Sequence, residues 1–194
     1  VDLCGHATLA TAHILFEELG YEEEEIVFKT KSGLLTVQRE GDALMMNFPA
    51  DDMPQVKPPS VLFKALGIES TPEVYRTDDY MVVLESEEAV AALGPDFRML
   101  KEVEARGIIV TAPGEQVDFV SRFFAPQSGI DEDPVTGSAH TKSTPYWSKK
   151  LGKEVLTARQ ISARTGDLTC RMKGDRVEIL GQAVTYLKGE ISVA

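Results

Sequence analysis

The 194-residue sequence predicts an α+β fold built from two similar lobes that meet at a pocket. Three observations predict it. Cys4-Gly5-His6-Ala7-Thr8 and Thr136-Gly137-Ser138-Ala139-His140 open two helical stretches that both end in Leu-Gly, at Leu19-Gly20 and Leu151-Gly152. The chain also matches itself. At an offset of 132, Gly5, Ala7, Leu19 and Gly20 fall on Gly137, Ala139, Leu151 and Gly152. At an offset of 133, Gly33, Leu35, Thr36, Gly41 and Asp42 fall on Gly166, Leu168, Thr169, Gly174 and Asp175. These are nine identities in thirty-one aligned positions, where composition alone gives roughly two. Finally, each helical stretch is followed by short β-type runs with glycine turns between them, so the repeated unit is a helix plus hairpins.

Residues 5–19 read as a helix, apolar at Leu9, Ala12, Leu15 or Phe16 and Leu19, with Gly20 as the stop signal. Ile26–Thr30, Leu34–Arg39 and Leu44–Phe48 follow as strands separated by Ser32-Gly33 and Gly41-Asp42, a meander. Pro54, Pro58 and Pro59 mark a linker, and Ser60–Leu66 is a short helix. Strands are expected near Val74–Arg76, Tyr80–Glu85, Ile108–Thr111 and Val117–Phe124, with helical segments Glu87–Leu93 and Phe97–Ala105 between them. The second glycine-led helix runs to Leu151 with a kink at Pro145. Strands Leu156–Ala163, Leu168–Lys173, Val177–Leu180 and Ala183–Lys188 close the chain. The lobes divide as 1–58 and 59–194, the last strand being a candidate to return to the first lobe. About seventy residues precede the second motif in its lobe and four precede the first. The first lobe is therefore expected to be incomplete, its upstream segment missing.

Composition narrows the function. The chain is 43% hydrophobic and 26% charged, an ordinary globular balance. Its net charge of −11 repels phosphate backbones, which argues against nucleic acid as a partner. No apolar stretch approaches the roughly 20 residues of a membrane span. Cys4 and Cys170 make no disulfide framework and no leader is visible, so a reduced cytoplasmic setting is the default.

The chemistry centres on the two helix starts. Glycine in a first helical turn lets backbone approach a ligand, and the unsatisfied N–H groups with the helix dipole favour an anion. Two such starts face to face would grip a small carboxylate, with Gly5, Ala7, Thr8, Gly137, Ser138 and Ala139 around it. His6 has a side chain suited to proton transfer near neutral pH. Asp133 precedes Pro134 and is held extended, which aims its carboxylate at the pocket. His13 reads as packing. No metal-ligand spacing links the histidines and cysteines, so neither a metal nor a cofactor site is expected. Cys4, beside a helix start, would have a lowered pKa, but a two-base racemase needs a second thiol. The matching stretch Asp133-Pro134-Val135-Thr136 has none, and Cys170 falls on a strand opposite Val37 in the repeat.

Asp2-Leu3-Cys4-Gly5-His6-Ala7-Thr8-Leu9-Ala10 and Asp133-Pro134-Val135-Thr136-Gly137-Ser138-Ala139-His140, followed by Pro145-Tyr146-Trp147, resemble the phenazine-biosynthesis isomerase (PhzF-like) family. The resemblance spans essentially the whole chain. It implies a fold similar to diaminopimelate epimerase: two pseudo-symmetric lobes, each a mostly antiparallel, barrel-like sheet around a central helix. It also implies a cofactor-independent isomerase acting by general acid–base proton transfer on a small cyclic carboxylate, dihydro-3-hydroxyanthranilate in the best-known member. His6 and Asp133 match that family's histidine and aspartate, and Gly5, Gly137 and Ser138 match residues lining its cleft. The family's acid/base glutamate precedes the first motif and has no counterpart here, so this chain alone is expected to be inactive. Arg164-Thr165-Gly166 departs from the family's more usual Arg-Gly-Gly, read as a minor change on a hairpin. Dimers are common for such folds, and the oligomeric state stays open. Two other readings remain: an amino-acid epimerase or racemase using Cys4, and a non-catalytic small-molecule-binding or interaction protein.

Overall fold

A computed structural model describes residues 5–30 and 33–190. The first helix, α1 (Gly5–His13), does not continue regularly to Leu19 but widens into a π turn at Ile14–Glu18. The wide turn closes through Leu19 N–H to Ile14 O at 3.0 Å, and Gly20 ends it at φ 65°. The Phe16 carbonyl accepts a bond of 2.8 Å from the Arg39 guanidinium, which also lies 4.6 Å over the Phe16 ring. A tertiary contact thus competes with the regular ladder where the helix widens.

The meander follows as expected: β1 (Glu25–Thr30), β2 (Gly33–Glu40) and β3 (Ala43–Pro49) pair antiparallel in sequence. Leu35 and Val37 alternate inward while Leu34 stays exposed, the period-2 pattern of a half-buried strand. Then come α2 (Ser60–Leu66), β4 (Glu73–Arg76), β5 (Tyr80–Val83), α3 (Glu87–Ala91), α4 (Phe97–Leu100), β6 (Ile108–Pro113) and β7 (Phe119–Phe124). The chain closes with α5 (Gly137–Leu151), β8 (Val155–Gln160), β9 (Gly166–Lys173) and β10 (Arg176–Gly181).

The described strands form one ten-stranded sheet, ordered β1-β2-β3-β10-β9-β8-β7-β6-β5-β4. Only β5–β6 and β7–β8 are parallel, each joined through helical connections, and the other neighbours are antiparallel. The segments before and after residue 58 are therefore joined through the β3–β10 ladder. Two expected elements differ. Residues 183–188 form no strand; Thr185 instead bonds to His13 (3.1 Å) and Glu18 (2.6 Å), and Lys188 pairs with Glu18, so the tail lies against α1. The helix expected over 97–105 stops at Leu100, capped at its start by the Asp96 carboxylate.

Alternation along β5–β7 serves two cores. Val82, Val110 and Val120 pack with α2, α3 and α4 residues such as Leu62, Val90 and Leu100. Met81, Ile109 and Phe123 face the other way and pack on Ala139 of α5. Helix α5 is buried continuously from Ser138 to Thr144 although its sequence is polar. Two of its hydroxyls are satisfied locally: Thr141 Oγ1 donates to Ser138 O and Ser143 Oγ to Ala139 O. Pro145 has no N–H for the Thr141 carbonyl. That carbonyl accepts from Asp51 N–H at 3.1 Å, which pins the strand-to-linker segment onto the helix. No described helix is long and apolar enough to cross a membrane.

Candidate active site

Helices α1 and α5 start against one another. A Cβ placed on Gly5 would lie 3.4 Å from Gly137 Cα, and one on Gly137 would lie 3.5 Å from Gly5 Cα. Only glycine leaves backbone at both surfaces of this contact. A cavity of about 870 Å³ opens beside it, lined by Gly5, His6, Val135, Gly137, Met46, Ile179 and neighbouring strand residues. The N–H groups of Gly137 and Ser138 have no partner among the described residues, as expected for the first turn of a helix. With the α5 dipole they make a positive end available to an anion.

The loop ahead of α5 is held from the end of β8. Gln160, fully buried, accepts from Thr136 N–H at 2.8 Å and donates to Asp133 O at 2.6 Å. Ser162 Oγ donates to Pro134 O at 2.6 Å. The Asp133 carboxylate accepts from Thr136 Oγ1 at 2.5 Å, and Asp133 N–H donates to Phe123 O. Three of the four residues before the helix, Asp133, Pro134 and Thr136, are thus held by bonds from residues distant in sequence.

Of the residues expected from sequence, Gly5, His6 and Gly137 line the cavity. His6 is exposed and Asp133 half-buried at the α5 start, outside the lining. Thr8 is half-buried and Ala7 exposed on α1, also outside it. Ala139 departs from its expected place: its side chain is fully buried in the core, and its N–H donates to Thr136 O at 3.2 Å, leaving it nothing to offer an anion. Ser138 is 5% exposed, and its hydroxyl accepts from both terminal nitrogens of Arg106 at 3.1 Å each. Sequence reading missed Gln160 and Arg106, and took Thr165 as a minor change on a hairpin. Thr165 lies on the cavity wall at φ 39°. That region favours glycine, so the change is one of backbone strain rather than a neutral variation.

Behind Ser138 sits a charge cluster centred on the buried Asp79 and Lys142. Asp79, 0% exposed, accepts from Arg106 Nε at 3.0 Å and from Arg106 Nη2. Lys142, one turn along α5, is 3.0 Å from Asp78, 3.1 Å from Asp51 and 3.4 Å from Asp79. Burial works against the Lys142 charge, but the three carboxylates outweigh it and hold its pKa above the ordinary lysine value. Burial is also the largest influence on Asp79 and lifts its pKa, against the pull of Arg106 and Lys142.

Cys4 lies outside the described residues. Cys170 is fully buried, and burial pushes its thiol up to about 12, so it cannot supply a thiolate base near neutral pH.

Comparison with known proteins agrees with this architecture. The model of the PhzC-PhzF family, phenazine biosynthesis-like protein, matches residues 1–189. An uncharacterized isomerase of Pseudomonas aeruginosa is 51% identical over 191 residues, which are 98% of this chain and 73% of that protein. The crystal structure of a PhzF-family phenazine biosynthesis protein from Enterococcus faecalis superposes with a TM-score of 0.93 at 44% identity, covering 100% of this chain and 74% of that one. A predicted epimerase of Pseudomonas aeruginosa shares the fold at a TM-score of 0.62 and 19% identity, over 94% of this chain and 72% of its own. The chain belongs to the PhzC-PhzF family of phenazine biosynthesis-like proteins and is an isomerase-family protein with an epimerase-like fold.

Proposed function

We propose that the protein is a cofactor-independent isomerase that moves a proton on a small cyclic carboxylate held between the starts of α1 and α5. The observation that carries this reading is the Gly5–Gly137 contact beside the cavity, with the unpartnered Gly137 and Ser138 N–H groups at the same place. Backbone donors at a helix start bind a carboxylate through their N–H groups and the helix dipole. His6, on the cavity wall, polarises the bound substrate, and Asp133 at the rim of the same helix start shares in proton handling. Ala7 and Thr8 shape the α1 side.

Two pseudo-symmetric halves, 1–58 and 59–194, form this arrangement in our reading. Support comes from repeat-equivalent residues that meet one another. Gly5 packs on Gly137, its equivalent at offset 132. Met46 pairs with Ile179, its equivalent at offset 133. An axis relating the halves would pass through both contacts, and all four residues line the cavity.

The test is solvent deuterium incorporation into a cyclic dihydro-hydroxy acid by the intact protein, compared with His6→Ala and Asp133→Ala. Loss of incorporation in both variants is expected; incorporation unaffected by either substitution would remove the assignment. The racemase reading keeps less support, since Cys170 is buried and protonated.

A further inference from the structure

The hydroxyl of Ser138 is unusually constrained. It stands in the first turn of α5, next to the Gly137 and Ser138 N–H groups, which have no partner among the described residues. Arg106 Nη1 and Nη2 both donate to its oxygen at 3.1 Å, which occupies the acceptor side of a group that has one proton and two lone pairs. The Ser138 O–H itself has no acceptor among the described residues, although the side chain is almost fully buried. A buried donor without a partner is costly unless a ligand completes it.

Arg106 has little freedom to turn away. Asp79 takes its Nε and Nη2, Asp78 lies 3.1 Å from Nε, and the Phe123 ring lies 5.7 Å from the guanidinium carbon. Asp79 and Asp78 are held in turn by Lys142. An apolar set of similar volume would stabilise the fold about as well as these buried charges. Their arrangement does what an apolar set cannot: it aims two cationic N–H groups at one hydroxyl.

We infer that Arg106 is a positioning residue, fixing the Ser138 hydroxyl as a hydrogen-bond donor to an oxygen of the carboxylate bound at the α5 start. With the Gly137 and Ser138 N–H groups and the Ser138 hydroxyl all acting as donors, the α5 start takes an ionised carboxylate and disfavours a carboxamide, whose NH2 would face these donors. This rests on the carboxylate-binding reading proposed above. It adds to that reading the device that sets ligand charge, and it lies in a side chain 32 residues from the one it controls.

The experiment is calorimetric titration of the intact protein with 3-hydroxyanthranilate and with its carboxamide, for the natural protein, Ser138→Ala, Arg106→Met and the double variant. The natural protein is expected to prefer the carboxylate by at least about tenfold. Each single substitution should erase most of that preference, and Arg106→Met should have no further effect once Ser138 is alanine. A general loss of structure would instead weaken binding in both backgrounds, so an Arg106→Met effect that persists undiminished in Ser138→Ala overturns the inference, as does no effect at all. If the natural protein binds neither compound, the carboxylate reading falls and this inference with it; if it binds and prefers the acid but the single variants keep that preference, this inference alone falls. Should Arg106→Met not fold, Arg106→Lys carries the same comparison, since an ammonium cannot place two N–H groups on one oxygen in this geometry.

Discussion

Gly5 and Gly137 touch through backbone alone, 132 positions apart in sequence, and a methyl group on either reaches the Cα of the other at 3.4–3.5 Å. That spacing is ordinary van der Waals contact, so one methyl fits where two compete for the same gap. Gly5→Ala and Gly137→Ala are each expected to leave unfolding free energy within about 1 kcal/mol of the natural protein, since neither glycine has positive φ. The double variant should lose about 1–3 kcal/mol more than the sum of the singles. Urea unfolding of the four proteins measures this coupling; strict additivity would mean that the two helix starts do not meet.

Thr165 offers a test of strain. It sits at φ 39°, closing a turn through its N–H to Ser162 O at 3.0 Å, immediately before Gly166. A β-branched residue in this region costs on the order of 1–3 kcal/mol, and glycine relieves it while adding disorder to the unfolded chain. Thr165→Gly should therefore raise stability by about 1 kcal/mol, seen as an upward shift of the thermal midpoint. An equal or lower midpoint would show that the threonine side chain compensates through contacts at the cavity wall.

Much of the fold was legible because its signals are local. The β1–β3 meander, helix α2 and the Leu-Gly ends of α1 and α5 all follow from period, glycine turns and a proline before Ser60. The glycine starts of α1 and α5 were legible for the same reason. What was hidden depends on partners far away in sequence. The run Ser138–Thr144 is polar yet buried, and Asp51, Asp79 and Arg106 satisfy or neutralise part of it. Gln160, which holds the loop before α5, has no motif around it. The segment expected as a strand at 183–188 has β-type residues but pairs with no described strand, and Thr185 bonds instead to His13 of α1 and Glu18 of the π turn.

His140 gives a pH prediction. It is fully buried, its Nδ1 bonds to Thr136 O at 2.8 Å, and its Nε2 has no partner among the described residues. Burial pushes its pKa from 6.5 down to about 4, against the smaller opposing effect of the Thr136 bond. The unfolded chain therefore binds the proton first as pH falls, and stability drops between pH 6.5 and 4. At pH 5 this one group should remove about 2 kcal/mol relative to pH 7. His140→Phe should abolish that part of the acid sensitivity, checked by urea unfolding of both proteins at the two pH values. An unchanged pH dependence would mean that His140 titrates normally in the folded state.

Lys142 gives the opposite sign. It is 6% exposed and stands between Asp51, Asp78 and Asp79, so its removal leaves the fully buried Asp79 with Arg106 alone to balance it. Lys142→Met keeps the length of the chain and loses the charge; a cost of about 3–5 kcal/mol is expected at pH 7. Burial already lifts the Asp79 pKa, and losing the ammonium lifts it further. A carboxyl whose pKa is higher folded than unfolded takes up a proton on folding, so acid stabilises it relative to the unfolded state. The deficit of Lys142→Met against the natural protein should therefore shrink as pH falls from 7 toward 4.5. Adding Asp79→Asn should recover part of the loss at pH 7, because the amide replaces the charge while still accepting from Arg106. If the deficit is the same at every pH and Asp79→Asn recovers nothing, lysine contributes there by packing its methylene chain rather than by holding a buried carboxylate.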